Sequence, residues 1–323
     1  MADEARMTGG GTTTAGLETI VRPEAAVDAE AAAGAGPALG AATAAGSAAG
    51  PGGGAGAISV RAASKVYDPE GAAVLALDRC SMEIAAGEFA VLVGPSGCGK
   101  TTLLNAVAGF HGITGGEIAM DGRVLCSPEF TAPPGADRIV VFQNGALFPW
   151  MTVLDNVLFG PLARGETGGE TRERAMVMLR TMGLGDSAFE YPGQISSGMR
   201  RRAEIARAMM NRPKVLLLDE PFRAMDATTK TVAHQFLMDV YARERPTVLF
   251  ITHDLDEAIF LGSKVYVMTT RPATVKKVLD VGRPHPRDFR FLTAPEYRDI
   301  RAECRDAVRE EAGKAFAAGE REA

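Results

Sequence analysis

From Ile58 onward, short apolar runs alternate with amphipathic stretches, the pattern of strands joined by helices. Ile58–Arg61 and Lys65–Tyr67 have the composition of short strands, and Cys80–Ile84 alternates apolar and polar positions, as a half-buried strand does. Glu88–Val93 is apolar almost throughout and follows the turn signal Ala86-Gly87, which predicts a strand buried on both faces. Glu117–Met120 and Arg123–Leu125 flank Asp121-Gly122, a dipeptide suited to a tight hairpin. Between Asn144 and Arg212 the spacing becomes helical, with amphipathic segments at Arg172–Met182 and Met199–Met210. The apolar runs Lys214–Leu218 and Thr247–Ile251 predict two further strands separated by a helix, and such alternation implies a largely parallel α/β core. Near the end, Thr293–Glu296 resembles a capping box. Tyr297, Ile300, Cys304 and Val308 then recur at helical spacing, a stripe expected to pack on the core.

Composition adds a different element before Ile58. Residues 1–56 are mostly Ala, Gly and Thr with almost no large apolar side chains, so burial there cannot offset ordering entropy and a disordered tail is expected. The whole chain, 46% hydrophobic with a formal net charge of -5, has the make-up of a globular protein without the basic excess of a nucleic-acid binder, and no nucleic-acid partner is expected. Cys80, Cys98, Cys126 and Cys304 are scattered without metal-type spacing, consistent with a reducing compartment. No apolar run reaches the ~18 to 20 residues of a membrane span, and Met1–Arg6 lacks the start of a secretion signal. The expectation is a cytoplasmic protein, and any contact with a membrane would be made through a partner.

Chemistry enters at Gly94-Pro95-Ser96-Gly97-Cys98-Gly99-Lys100-Thr101, which fits G-x-x-x-x-G-K-[ST] between a buried strand and the helical run Thr102–Ala108. Glycines let the backbone aim several N–H groups at phosphates, and the helix N-terminus adds positive potential. Lys100 would reach the β- and γ-phosphates of ATP, Thr101 would offer its hydroxyl to Mg²⁺, and Thr102 is counted with the nucleotide contacts. Cys98 reads as a small residue tolerated in the loop. Asp219 and Glu220 end the strand Val215–Leu218 as paired carboxylates, Asp219 suited to Mg²⁺ and Glu220 to acting as general base toward water. His253 follows the next apolar strand, from where it could touch the γ-phosphate and hold Glu220 in line.

Ile195-Ser196-Ser197-Gly198-Met199-Arg200 starts a helix before the acidic pair and resembles the LSGGQ signature of the ATP-binding-cassette (ABC) transporter family. Gln143, ending the expected strand Ile139–Phe142, resembles that family's Q-loop glutamine, Pro221–Asp226 its D-loop, and Tyr67 its adenine-stacking aromatic. The resemblance runs from about Ile58 to Val281 in the family's order. It implies an α/β fold: an ABC-type phosphate-loop ATPase core with an antiparallel β subdomain and an inserted helical subdomain at about 144–212. Residues 57–282 would form that ATPase domain and 283–323 a C-terminal helical extension. It also implies ATP and Mg²⁺ as ligands, with Thr101, Asp219 and Gln143 around the metal and Glu220, His253 and Gln143 in catalysis. Ser196, Ser197, Gly198 and Asp226 would face nucleotide held by a second ATP-binding subunit, expected to be a copy of this chain. The other implied partners are transmembrane permease subunits and, indirectly, a periplasmic or extracellular solute-binding protein, which places the chain peripherally on the cytoplasmic face of the cell (inner) membrane.

Leu147–Val157 and the tail from Thr270 to Asp288 resemble the nitrate, taurine and alkanesulfonate importer ATPases more narrowly, and imply a small solute of that kind. The rival readings are a soluble ABC ATPase acting on nucleic acid or ribosomes, and a phosphate-loop kinase or regulatory module. The first usually needs tandem cassettes or heptads, which this chain lacks. The second leaves the signature-like segment unexplained. Two departures stand out. Ser197 replaces a usual glycine, costing little at negative φ but about 1–3 kcal/mol in a left-handed conformation. Arg223 replaces a small residue. Trp150, the single tryptophan, would pack in a core or interface or face the membrane subunit.

Overall fold

The computed structural model describes residues 55–223 and 225–317, so the expected tail lies outside the described residues except for Ala55 and Gly56. In chain order the elements are β1 (Ile58–Tyr67), β2 (Val74–Ile84), β3 (Phe89–Val93), α1 (Lys100–Ala108), β4 (Gly115–Met120), β5 (Arg123–Cys126), β6 (Arg138–Val141), α2 (Val153–Ala163) and α3 (Gly169–Thr181). There follow α4 (Ser197–Met209), β7 (Val215–Asp219), α5 (Ala227–Glu244), β8 (Thr247–Ile251), α6 (Leu255–Leu261), β9 (Lys264–Met268), β10 (Val275–Asp280) and α7 (Pro295–Ala317).

Two sheets form. One has the order β10-β9-β3-β8-β7-β6, parallel except for the antiparallel β10–β9 edge. The other is antiparallel, in the order β2-β1-β4-β5. β3, β7 and β8 are buried at every position, as their apolar runs require. Alternate residues serve different cores. Phe89, Val91, Val93, Leu216, Leu218, Val248 and Phe250 face the helices. Ala90, Leu92, Val215, Leu217, Leu249 and Ile251 face α1 and the antiparallel sheet. The helices α2, α3 and α4 pack on one another between β6 and β7, so the inserted helical portion and the antiparallel portion are both present, as expected.

The Asp121-Gly122 turn joins β4 to β5 with φ of 52° and 76°, the left-handed pair that a two-residue hairpin of right-twisted strands demands. Three expectations need correction. The two short strands before Asp68 are one strand, β1, broken in register near Ala62 (φ 46°). β6 ends at Val141, leaving Phe142 and Gln143 beyond it. The capping box does not form: α7 starts at Pro295, and the Thr293 hydroxyl instead donates to Arg290 O at 2.8 Å. The stripe on α7 does pack inward, with Tyr297 and Cys304 buried and Ile300 and Val308 partly buried against the helix-side core.

The segment after β10 is pinned to the end of α6. Arg287, buried, donates from Nη1 to Ile259 O, Phe260 O and Gly262 O at 2.8, 3.0 and 2.7 Å, satisfying carbonyls that a helix end leaves open. His285 reaches Leu261 O at 2.8 Å and sits edge-on to Tyr241. Burial, reinforced by the Arg287 cation, pushes the imidazole down to about 4. The unfolded histidine titrates near ~6.5, so between these values only the unfolded chain gains the proton, and stability falls as pH drops from ~6.5 through 4. Melting temperatures measured across that range should therefore decline, and His285→Phe should make the decline shallower. Identical slopes in the two proteins would exclude His285 as a source.

Candidate functional site

Register brings the chemistry to one edge. Leu92 pairs with Ile251, and Ile251 with Asp219, so β3, β8 and β7 end at the same level. The phosphate loop, the acidic pair and His253 all leave the sheet there, where parallel α/β sheets place their ligands.

The loop Gly94–Gly99 turns directly into α1. Gly99 has φ 123°, and a Cβ there would come 2.9 Å from Ala76 O, so no side chain fits. The first turn of α1 carries no acidic residue and no side-chain cap, which leaves its N–H groups for an anion. Lys100 is buried and its ammonium donates to Gly94 O and Pro95 O at 2.9 and 2.8 Å, folded across the loop. Cys98 is buried, with its thiol raised by desolvation against the opposing pull of Lys100, so it stays protonated and packs.

Thr101 Oγ1 donates to Asp219 Oδ2 at 3.0 Å, joining the start of α1 to the end of β7. Burial raises the Asp219 carboxyl, the Thr101 hydrogen bond opposes this, and the neighbouring Glu220 charge adds to it. A hydroxyl and a carboxylate this close are the hard oxygen donors a magnesium ion takes. Glu220 holds a left-handed φ of 43° while its N–H donates to Ile251 O at 3.0 Å. Its Oε2 lies 3.4 Å from His253 Nδ1 and 3.2 Å from Arg223 Nη1. His253 is therefore at the acidic pair, where the adjacency of β7 and β8 puts it.

Gln143 is exposed just past β6, and its carbonyl accepts from Arg201. Tyr67 ends β1. Its hydroxyl lies 3.3 Å from Thr102 Oγ1 and 3.1 Å from His111 Nε2, which holds the ring beside α1, with the Lys65 ammonium 5.1 Å from its centroid. Ser96 and Gly97 complete the loop, Gly97 at φ 70°.

The signature-like segment opens α4. Ser196 caps α4, its hydroxyl accepting from Met199 N at 3.2 Å. Asp226 caps α5 through Thr229 N at 2.9 Å. A Cβ on Gly198 would come 2.4 Å from Thr229 Cγ2, so glycine there also permits the contact of α4 with α5. Ser197 lines a groove with Pro221, Arg223 and Met225, and no phosphate-loop residue lines it.

An ABC transporter domain matches residues 77–223. The chain is 43% identical over 246 residues to a taurine import ATP-binding protein of Rhizobium johnstonii, an overlap of 74% of this chain and 89% of that protein. This chain belongs to the ABC transporter family. Within it, a nitrate import ATP-binding protein of Synechocystis sp. is 39% identical over 246 residues, covering 74% and 90% of the two chains. A dimeric ATP-binding cassette in a post-hydrolysis state, with ADP and phosphate bound, matches at a TM-score of 0.60 and 29% identity over 71% of this chain and 100% of that one. The chain is an ATPase of the ABC type.

The cassette's departures acquire structural meanings. Ser197 is the first residue of α4, on right-handed helical backbone, so serine sits there without left-handed strain. Arg223 pairs with Glu220, a contact its spacing alone did not announce. Trp150 is 70% exposed and stacks on Phe148, so it is not a core residue of this chain. Sequence reasoning missed Glu257, whose carboxylate accepts from the Thr252 hydroxyl and meets His234 Nε2 at 2.7 Å, steadying the turn that carries His253. A glutamate followed by the apolar run Ala258–Leu261 was the available signal. Arg201 and Glu204 were missed as well.

The Gly198–Thr229 contact can be tested directly. Gly198→Ala should destabilise the cassette by about 1–3 kcal/mol through overpacking, and adding Thr229→Ser should restore the melting temperature. No change in the single variant would mean that α5 yields freely at this point.

Proposed function

We propose that this chain is the ATP-hydrolysing subunit of an ABC importer, working as a head-to-tail pair of cassettes that encloses two ATP molecules. The observation that carries the catalytic half is the cluster Thr101–Asp219 with Glu220–His253, assembled at one sheet edge beside a free helix N-terminus. Lys100 would swing from its carbonyls to the β- and γ-phosphates, and the loop N–H groups would cradle them. Thr101, Asp219 and Gln143 would hold Mg²⁺, which neutralises charge building on the phosphates. Glu220 would orient the attacking water and receive its proton, with His253 keeping the carboxylate and the γ-phosphate aligned. Tyr67 would stack on the adenine.

The groove that Ser197 lines holds no phosphate-loop residue, which supports a second chain as the supplier of Ser196, Ser197 and Gly198 to each nucleotide. Closure would then be favoured because ATP binds the closed pair better than the open one. Asp226 would lie at the interface of the pair.

Among the described residues no helix is long and apolar enough to cross a membrane. Membrane attachment is assigned to permease subunits, on the exposed aromatics Trp150 and Phe159, which flank the half-buried Phe148. Their solute would be a small anion or zwitterion of the nitrate or taurine kind, delivered by a solute-binding protein outside the membrane. The chain itself would sit peripherally on the cytoplasmic face.

Glu220→Gln should lower ATP turnover by about 100-fold or more while ATP affinity is kept, and should shift the protein toward a dimer on native mass measurement with ATP. Turnover within twofold of the parent would remove Glu220 from the chemistry. Purification of the full chain from its own membranes in mild detergent should recover a multi-spanning partner, and Trp150→Ala should lower that recovery without changing the melting temperature. Recovery with ribosomes or nucleic acid instead would end the transporter reading.

A further inference from the structure

We propose that the buried Arg201–Glu204 ion pair is a positioning device that ties the segment carrying Gln143 to the signature helix α4, so that the two respond to nucleotide as one body. The proposal rests on the role assigned above to Gln143 and the signature helix, and concerns how this chain connects them.

Arg201 Nη1 lies 2.6 Å from Glu204 Oε2, with side-chain exposures of 10% and 5%. One turn of α4 therefore presents both charges to the same side. Arg201 Nη1 also donates to Phe142 O at 2.6 Å, and its Nη2 donates to Gln143 O. Glu204 uses its second oxygen, Oε1, to accept from Ala146 N at 2.9 Å. The pair thus grips both ends of Phe142–Ala146, a segment with no helix or strand of its own and exposed along its length. Within the segment Phe142 also stacks on Phe110, with ring centroids 5.6 Å apart.

Stability alone is a poor reason for such an arrangement. Two charges withdrawn from water recover little net free energy, and apolar residues of similar volume often serve as well or better. Burial raises the Glu204 carboxyl, with the Arg201 cation opposing, as expected where desolvation and attraction compete. What the pair adds is direction. A guanidinium fork offers donors at fixed angles, and here they meet two successive carbonyls and a carboxylate at once.

Its place in the fold gives that direction a use. Glu204 lines the apolar groove of Ile139, Val141, Phe148 and Phe159, next to the exposed aromatics assigned to the permease. With Arg201 it also lines the groove of Ser197, Pro221 and Met225. Glu204 is shared by the two grooves, and Arg201 holds it from the second. A displacement on either side reaches the other through these bonds, and Gln143 moves with α4.

The test is steady-state ATPase kinetics on the full chain with Arg201→Met/Glu204→Leu, which keeps bulk and removes the directed bonds. The melting temperature and KM should stay close to the parent, while kcat falls about tenfold, a loss confined to the step after binding. Parent-like kcat in the folded double variant would overturn the proposal. Should that protein fail to fold, Arg201→Lys and Glu204→Gln carry the test. Each keeps a polar group in place and should lower kcat at unchanged KM, and parent-like kcat in both would overturn the proposal. Glu220→Gln in the same assay separates the two levels. If it is inactive while the Arg201 and Glu204 variants turn over normally, the ion-pair proposal alone fails; if it is active, the reading of the site fails and the proposal falls with it.

Discussion

Leu92, Ile251 and Asp219 lie side by side across β3, β8 and β7, so segments remote in the chain leave the central sheet at one level. That shared level depends on strands buried on both faces, because a one-residue slip would move every side chain to the opposite core. Phe89, Val91 and Val93 belong with the helices, and Ala90 and Leu92 with α1 and the antiparallel sheet. The cores on the two faces therefore hold the register, and the register holds Thr101 within 3.0 Å of Asp219. Glu220 and His253 meet for the same reason, Glu220 directly after β7 and His253 two residues past β8.

Polar groups at this edge are paired to one another before any ligand is considered. Lys100 folds onto two loop carbonyls, Thr101 onto Asp219, and Glu220 lies between His253 and Arg223. Charges buried without partners are costly, so a site that must receive phosphate keeps its cations and carboxylates mutually satisfied in the meantime. The same logic applies behind the site, where Glu257 ties Thr252 to His234, and beneath Gln143, where Arg201 and Glu204 satisfy each other and the loop backbone together. Aromatic side chains, by contrast, are left facing solvent at Trp150 and Phe159, where a larger assembly would cover them.

Much of this was legible from residue order. Continuous apolar runs marked β3, β7 and β8, the Asp-Gly dipeptide marked the β4–β5 hairpin, and glycine spacing marked the phosphate loop, because each is a local requirement of backbone and burial. Boundaries were less so. β1 reads as two strands since a bulge interrupts its alternation, and the apparent cap at Thr293 was outcompeted by a nearer carbonyl at Arg290. The missed residues share a cause. Arg201, Glu204 and Glu257 are charged side chains on amphipathic or partly apolar helices, and pattern assigns such residues to solvent by default. Only packing against a loop from another part of the chain makes them buried partners.

The sequence by itself determined which segments are strands, where the phosphate loop turns into a helix, and which residue types stand at the ends of β7 and β8, since these follow from local periodicity, turn chemistry and motif spacing. Tertiary structure alone decided which of those residues meet. It put Thr101 against Asp219, Arg223 and His253 on either side of Glu220, Thr229 under Gly198, and the Arg201–Glu204 pair on the Gln143 segment. Such contacts depend on sheet order and on which helix faces which loop. Those are set by the simultaneous burial of many apolar side chains, and no single stretch of sequence carries that information.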